Sequence, residues 1–236
     1  MFKDLFGKAM LDFITDNNPE NLITETNISE ADEMDVSYLF RSFQDMPKIE
    51  KKALQLAKGK VLDIGCGAGS HALYLQEQNF DVLGIDISAN AIETCKLRNL
   101  KNVRQIDLLD LPTDEKFDTI YLLMNGTGIF GKLKNLDQYL TKLKELLNEN
   151  GQVLIDSSDI IYMFDEDEDG GKWIPMYGDY YGELTFHISY KNEHEEPFNW
   201  LYLDYNTLQN ACIAQNLKCE LILEGEHFDY LARITK

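Results

Sequence analysis

The sequence predicts a doubly wound α/β fold. It reads as a mostly parallel seven-stranded sheet with helices on both faces, an antiparallel last strand, and an insert containing a β-hairpin. Three observations carry this. Short apolar runs alternate with helix-like stretches between residues 47 and 161; strands covered on both faces read as such runs, and the helices between them supply right-handed crossovers. The first run closes on the glycine-rich turn Asp63-Ile64-Gly65-Cys66-Gly67-Ala68-Gly69. Charge falls in blocks: the chain carries 22 basic and 41 acidic groups for a net −19, yet residues 47–161 hold 14 basic against 16 acidic groups. Residues 1–46 hold 3 against 10, and residues 162–205 hold 2 against 11.

The elements follow in order. Lys60–Gly65 is the first strand, residues 70–78 a helix, and Asp81–Asp86 a second strand. Ser88 can cap a helix over 89–98, its hydroxyl accepting from a free first-turn N–H. A third strand fits 102–106 and a fourth 117–123. Leu136, Leu140, Leu143 and Leu147 recur at helical spacing, so 135–148 reads as an amphipathic helix capped by Asn135. Residues 151–156 form the fifth strand. A helix over 206–216 and strands near 218–223 and 228–234 close the chain. The reading therefore divides the chain into an N-terminal cap segment (1–46), a core (47–161 and 206–236) and a lid insert (162–205) with a hairpin from 183–190 and 198–203.

Composition narrows the function. Phosphate-backbone binders neutralise phosphates with Lys and Arg, so a nucleic-acid substrate is disfavoured at net −19. Cys66, Cys95, Cys212 and Cys219 have no metal-ligand spacing, and no metal is expected. The run Asp165–Gly170 imitates the start of a calcium loop, but Met176 stands where a bidentate Glu is required. No apolar run has membrane-spanning length, and Met1–Phe6 lacks a signal peptide's apolar core, so a cytoplasmic protein is expected.

Glycines between a strand and a helix let a ligand approach the backbone without meeting a Cβ. Asp86 ends the second strand 21 positions after Gly65, where an acid can take the ribose hydroxyls of an adenosine-type ligand. Ser70 stands where the dinucleotide fingerprint wants Gly or Ala, which disfavours a nicotinamide oxidoreductase.

Val61–Gly69 resembles the first motif of class I S-adenosylmethionine-dependent methyltransferases, and Gly84-Ile85-Asp86-Ile87-Ser88 resembles their second. Asp107–Pro112, Phe117–Ile120 and Leu143–Ile155 resemble the segments that follow, so the likeness covers roughly 47–161 and more loosely 206–236. It implies S-adenosyl-L-methionine as cofactor. Gly65, Cys66, Gly67 and Gly69 would pass along the cofactor, and Asp63 would reach its ammonium. Asp86 would accept both ribose hydroxyls, Ile87 would cover an adenine face, Asp107 or Asp110 would accept from the adenine amino group, and the Leu108 N–H would bond the ring.

The sulfonium is already activated, so the protein's work is alignment and exclusion of water. Met124-Asn125-Gly126-Thr127-Gly128 follows the fourth strand and should lie near the methyl, with Asn125 a candidate to position the acceptor. The Asn/Asp-Pro-Pro-aromatic segment of many amino-methylating relatives is missing there. Base candidates are Asp156, Asp159, His71, His187 and His194. Tyr38 and Arg41 are expected to meet the cofactor carboxylate, with a surface Arg paired to local acids as the competing reading. Trp173, Tyr177, Tyr181 and Trp200 of the insert are expected to build the acceptor pocket, and aromatics among acids suit an amine-bearing or cationic small molecule. A non-catalytic cofactor binder and a protein methyltransferase remain as alternatives.

Overall fold

The computed structural model describes residues 3–167, 169–174 and 180–236. The chain opens with helix α1 (Leu5–Thr15), whose free first-turn donors meet a distant carboxylate: Lys3 N and Leu5 N donate to Glu195 at 2.8 and 3.0 Å. Strands β1 (Leu22–Thr26) and β2 (Ser29–Met34) follow, and helix α2 (Lys48–Gln55) leads into the core. The core then alternates β3 (Lys60–Ile64), α3 (Ser70–Glu77), β4 (Asp81–Asp86), α4 (Ala89–Leu97), β5 (Val103–Gln105), β6 (Phe117–Leu122), α5 (Leu136–Leu146) and β7 (Leu147–Ser158). The insert supplies β8 (Glu183–Tyr190), β9 (Glu193–His194) and β10 (Phe198–Leu201), and α6 (Tyr205–Ala214), β11 (Lys218–Glu224) and β12 (Asp229–Thr235) close the chain.

The main sheet has seven strands in the order β11-β12-β7-β6-β3-β4-β5. The pairs of β3 with β4 and β6, β4 with β5, and β6 with β7 are parallel; β12 runs antiparallel to both β7 and β11. Alternation along each strand feeds two cores. Ile120, Leu122, Val153 and Ile155 pack with Leu136, Leu140 and Leu143 of α5 and Leu208 of α6. Val61, Tyr121 and Leu154 pack on the other face with Ile49 and Ala53 of α2, Leu75 of α3 and Ile92 of α4. Two covered faces explain why these strands read as unbroken apolar runs.

Ser88 caps α4 as expected, its Oγ accepting from Ala91 N at 2.8 Å. Asn135 does not cap α5. It sits in helical backbone at the end of a short 3-10 turn (Leu133–Asn135), and its Nδ2 donates to Phe130 O at 2.9 Å. That helix is also shorter than its leucine spacing suggests: Leu147 is extended and pairs with Phe117 as the first residue of β7.

A second sheet, absent from the sequence reading, joins the two acidic segments. Its order is β10-β8-β1-β2, with β9 on β8 and every pair antiparallel. β8 pairs Phe186 with Phe198 on one side and Ser189 with Ile23 on the other. Its inner face packs Leu22, Ile188 and Tyr190 against Leu5 and Ala9 of α1. The edge strand β2 is acidic and largely exposed, which blocks further strand addition.

This sheet closes on the core at one tight point. A Cβ on Gly128, in the 3-10 turn Gly126–Phe130 after β6, would lie 1.8 Å from Trp200 Cε2 of β10. Gly128→Ala should cost about 1–3 kcal/mol of stability in urea unfolding. Adding Trp200→Ala should recover part of the loss, because the obstruction is then gone.

Candidate active site

The turn that leaves β3 needs its glycines. Gly65, Gly67 and Gly69 have φ of 69°, 52° and 82°, in the left-handed region that side chains disfavour. Their free faces differ. A Cβ on Gly65 would meet Ile129 Cδ1 at 3.0 Å, and one on Gly69 would meet Cys95 Sγ at 3.0 Å, so Gly69 is bare for packing on α4. Gly67 has open space until Met10 Sδ of α1 at 3.8 Å. The Cys66 side chain points into the core, 3.9 Å from Cys95 Sγ, leaving its backbone to the turn.

Asp86, at the end of β4, ties this turn to α4. Its Oδ2 accepts from Gly67 N and its Oδ1 from Ser88 N, both at 2.9 Å, and each oxygen keeps a lone pair. Burial pushes its carboxyl up against these hydrogen bonds. Ile87 stands 55% exposed beside it. Asp107 Oδ1 accepts from Leu109 N at 2.8 Å, capping the turn that buries Leu108. Asp4, not singled out from the sequence, accepts at Oδ2 from Asn90 N at 3.1 Å and leaves Oδ1 buried without a partner.

Asp63 lies under the turn, almost wholly buried, with Oδ2 unpartnered. Burial raises its carboxyl to about 6, with His71 opposing and Asp86 adding to the rise. Beside it is a buried ion cluster. Arg41 Nη2 donates to Glu50 Oε1 and Oε2 at 2.5 Å each, and Nη1 donates to Tyr38 O at 2.6 Å. His71 Nε2 shares the Glu50 carboxylate at 2.6 Å, and the guanidinium lies 4.1 Å from the Tyr38 ring centroid. Arg41 is thus paired with an acid, as the competing reading had it, but in the interior and not at the surface, and its Nε is buried without a partner. Burial pushes the Glu50 carboxyl up, but the His71 bond and charge and the Arg41 charge outweigh it and hold it below the usual range.

The ends of β6 and β7 form the other half. Met124 and Asn125 both take left-handed backbone, at φ of 66° and 59°. The Asn125 amide is tied at both ends: Oδ1 accepts from Ser157 Oγ at 2.9 Å, and Nδ2 donates to Leu201 O at 3.4 Å. Thr127 Oγ1 also donates to Leu201 O, at 2.8 Å, so these residues fasten β10 to the core. Asp156 keeps some exposed surface although neighbours crowd it, and its Oδ1 accepts from Gly126 N at 3.1 Å. Burial raises its carboxyl to about 6, the Gly126 and Asn125 amides opposing and Glu50 adding. Asp156 also bears on Tyr38, whose hydroxyl burial holds above its ordinary value.

Among the lid residues, Tyr181 donates to Asp159 Oδ1 at 2.7 Å, and Trp200 packs on Gly128. Trp173 is 74% exposed at a hollow of about 450 Å³ shared with Ile28 and Phe164 and rimmed by Asp165, Glu166 and Asp167. Tyr177 lies outside the described residues. His187 and His194 sit exposed on the second sheet, where His194 bonds Ser189 at 2.7 Å.

The family model described as a methyltransferase domain matches residues 55–202. The chain belongs to this methyltransferase family. A SAM-dependent methyltransferase from Bacteroides fragilis, solved with S-adenosyl-L-homocysteine, is 44% identical, with 99% of this chain and 94% of that chain covered at a TM-score of 0.91. Ubiquinone biosynthesis O-methyltransferase from Rickettsia typhi is 29% identical over 109 residues, 46% of this chain and 44% of that protein. The chain thus spans less than half the length of that curated relative. A sugar N-methyltransferase from Streptoalloteichus, 16% identical with 80% of this chain and 85% of that chain covered at a TM-score of 0.55, shares the fold. The protein is an S-adenosyl-L-methionine-dependent methyltransferase.

The methyltransferase's residues fit this cofactor. Its amino-acid end carries an ammonium and a carboxylate, and beside the glycine turn Asp63 Oδ2 is a buried acceptor and Arg41 Nε a buried donor without partners, as Asp4 Oδ1 is by α4. An unsatisfied buried polar atom costs about 1–3 kcal/mol. Among the described residues no helix is long and apolar enough to cross a membrane, and no group of three potential ligands could hold a metal.

Because the folded state holds the Asp63 proton more tightly than the ordinary value of 3.8, stability falls as pH rises from there to about 6. Asp63→Asn should therefore raise Tm at pH 7.5 but not at pH 4, while weakening S-adenosyl-L-homocysteine binding in calorimetry. An unchanged Tm difference across pH would contradict the assignment.

Proposed function

We propose that the methyltransferase transfers its methyl group to a small, amine-bearing acceptor, held between the ends of β6 and β7 and the second sheet. The observation that carries this is a pair of carboxylates at the C-terminal end of β7, one of them bonded to a tyrosine of the insert. Asp156 lies near the end of β7, Asp159 follows it, and Tyr181 donates to Asp159 Oδ1. Aromatic faces and carboxylates both attract positive charge.

When bound, the cofactor supplies a methyl group already activated on a sulfonium. The chain's own residues bind, orient and exclude water. Asp63 would take the ammonium and Arg41 Nε the carboxylate, with Tyr38 beside it. Asp86 would accept the ribose hydroxyls while its other lone pairs hold the glycine turn in shape. Ile87 would cover the adenine, Asp107 would accept from its amino group, and Leu108 N–H would bond the ring. Met124 would line the wall near the methyl. Asn125 fastens the turn through Ser157 and Leu201, and its second N–H is the donor that would position the acceptor. An acceptor held there would gain its rate chiefly from alignment of its attacking atom with the methyl group.

An ammonium must lose a proton before its lone pair can attack, and Asp156 is the carboxylate we assign to hold that proton. Burial places its titration near 6, close enough to neutral for a base to be both ionised and effective. Trp200 and Tyr181 form the acceptor wall, and Trp173 stands at the outer hollow.

An oxygen acceptor is the second reading. The name of the Rickettsia typhi relative favours it, although the likeness covers less than half of either chain. Release of S-adenosyl-L-homocysteine should be measured with matched panels of amines, phenols, alcohols and carboxylic acids. Amines should turn over fastest, with a rate that falls below pH 6 and drops about 10²-fold in Asp156→Asn. Fastest methylation of a neutral hydroxyl or an anionic acceptor would overturn the amine reading, and an unchanged Asp156→Asn rate would remove the base.

A further inference from the structure

Glu50 belongs to α2, a helix whose other charged residues, Lys48, Lys51 and Lys52, keep some exposure, yet Glu50 itself is buried at 4% relative exposure. A carboxylate is retained in such a place only when it is paired and hydrogen-bonded. Its partners come from two segments on either side of the glycine turn. Arg41 follows the 3-10 turn Val36–Phe40 of the N-terminal segment, and His71 stands in the first turn of α3, two residues after Gly69.

We propose that Glu50 is a positioning residue for the cofactor's amino-acid end: it fixes the Arg41 guanidinium so that Nε is the edge left for the carboxylate. This rests on the cofactor site proposed above. The donors of a guanidinium are a rigid, planar set, so fixing some fixes the rest. Glu50 takes Nη2 with both oxygens, Tyr38 O takes Nη1, and Nε stays buried and unpartnered. The His71 bond holds the carboxylate from the other side, so it cannot follow Arg41 if the N-terminal segment shifts. Glu50 also balances charge. A lone guanidinium here would grip a carboxylate but repel the neighbouring sulfonium, whereas the Arg41–Glu50 pair donates hydrogen bonds with little net charge.

Two probes separate positioning from a merely structural role. S-adenosyl-L-homocysteine carries the amino-acid end; 5′-methylthioadenosine keeps the nucleoside and thioether without it. Calorimetry on the full chain should show Glu50→Gln weakening S-adenosyl-L-homocysteine about tenfold while 5′-methylthioadenosine changes by less than about twofold. Arg41→Ala should weaken the same ligand at least as much, and the double variant should be no weaker than Arg41→Ala alone, because Glu50 acts through Arg41. Glu50→Asp keeps the charge but retracts it. It should fall between the natural chain and Glu50→Gln, and it carries the test if the amide variant fails to fold. Equal losses for both ligands, losses that multiply in the double variant, or a Glu50→Gln protein that binds as the natural one does would each overturn the proposal. A natural chain that binds neither ligand would instead overturn the cofactor site on which it rests.

Discussion

Asp86 holds the central turn of the molecule open with two hydrogen bonds, one to Gly67 N and one to Ser88 N. The turn has three residues at positive φ and would have other shapes available without that anchor. The anchor fixes where α3 and α4 begin relative to β3, and so where His71, Cys95 and the cap at Ser88 lie. It also explains why an acid is tolerated at a nearly buried strand end. Charge-assisted bonds to backbone amides are roughly twice as strong as neutral ones, which offsets the desolvation that pushes this carboxyl upward.

The same edge of the sheet gathers other acids under harsher terms. Asp63 and Asp156 both titrate near 6 because burial outweighs the amides they accept from. Neither improves the stability of the fold at neutral pH. Groups kept in a costly state are typical of sites, where stability is exchanged for chemistry. The ion cluster of Arg41, Glu50 and His71 belongs to the same pattern: it leaves one guanidinium nitrogen unsatisfied in the interior while linking the N-terminal segment to α2 and α3.

Much of the core was legible from the chain alone. The places of the core strands, the glycine turn and the Ser88 cap follow from local patterns, because a twice-covered strand has to be apolar throughout, although β7 begins at Leu147, where the leucine spacing reads as helix. The N-terminal elements were not legible. β2 runs Ser-Glu-Ala-Asp-Glu-Met, with no alternation to mark it, and it is a strand because β1 pairs with it. Glu50 sits among lysines in a short helix and resembles any solvated acid; its burial is created by residues 9 and 21 positions away. The tie of Asn125 to Ser157 and Leu201 was not legible either, because its partners lie 32 and 76 positions away.

Local pattern marks the strands and helices of the core and the bare turn with its acid at position 86, since a twice-covered strand must be apolar and the turn needs φ values only glycine adopts freely. Tertiary structure alone decided that the two acidic segments form one sheet, that Arg41 turns inward onto a buried Glu50, and that neighbours crowd Asp156. Those outcomes depend on pairings such as Ile23 with Ser189, more than 160 residues apart, and on local dielectric. A carboxylate's surroundings are set by whatever the rest of the chain brings to it, and no window of neighbouring residues encodes that.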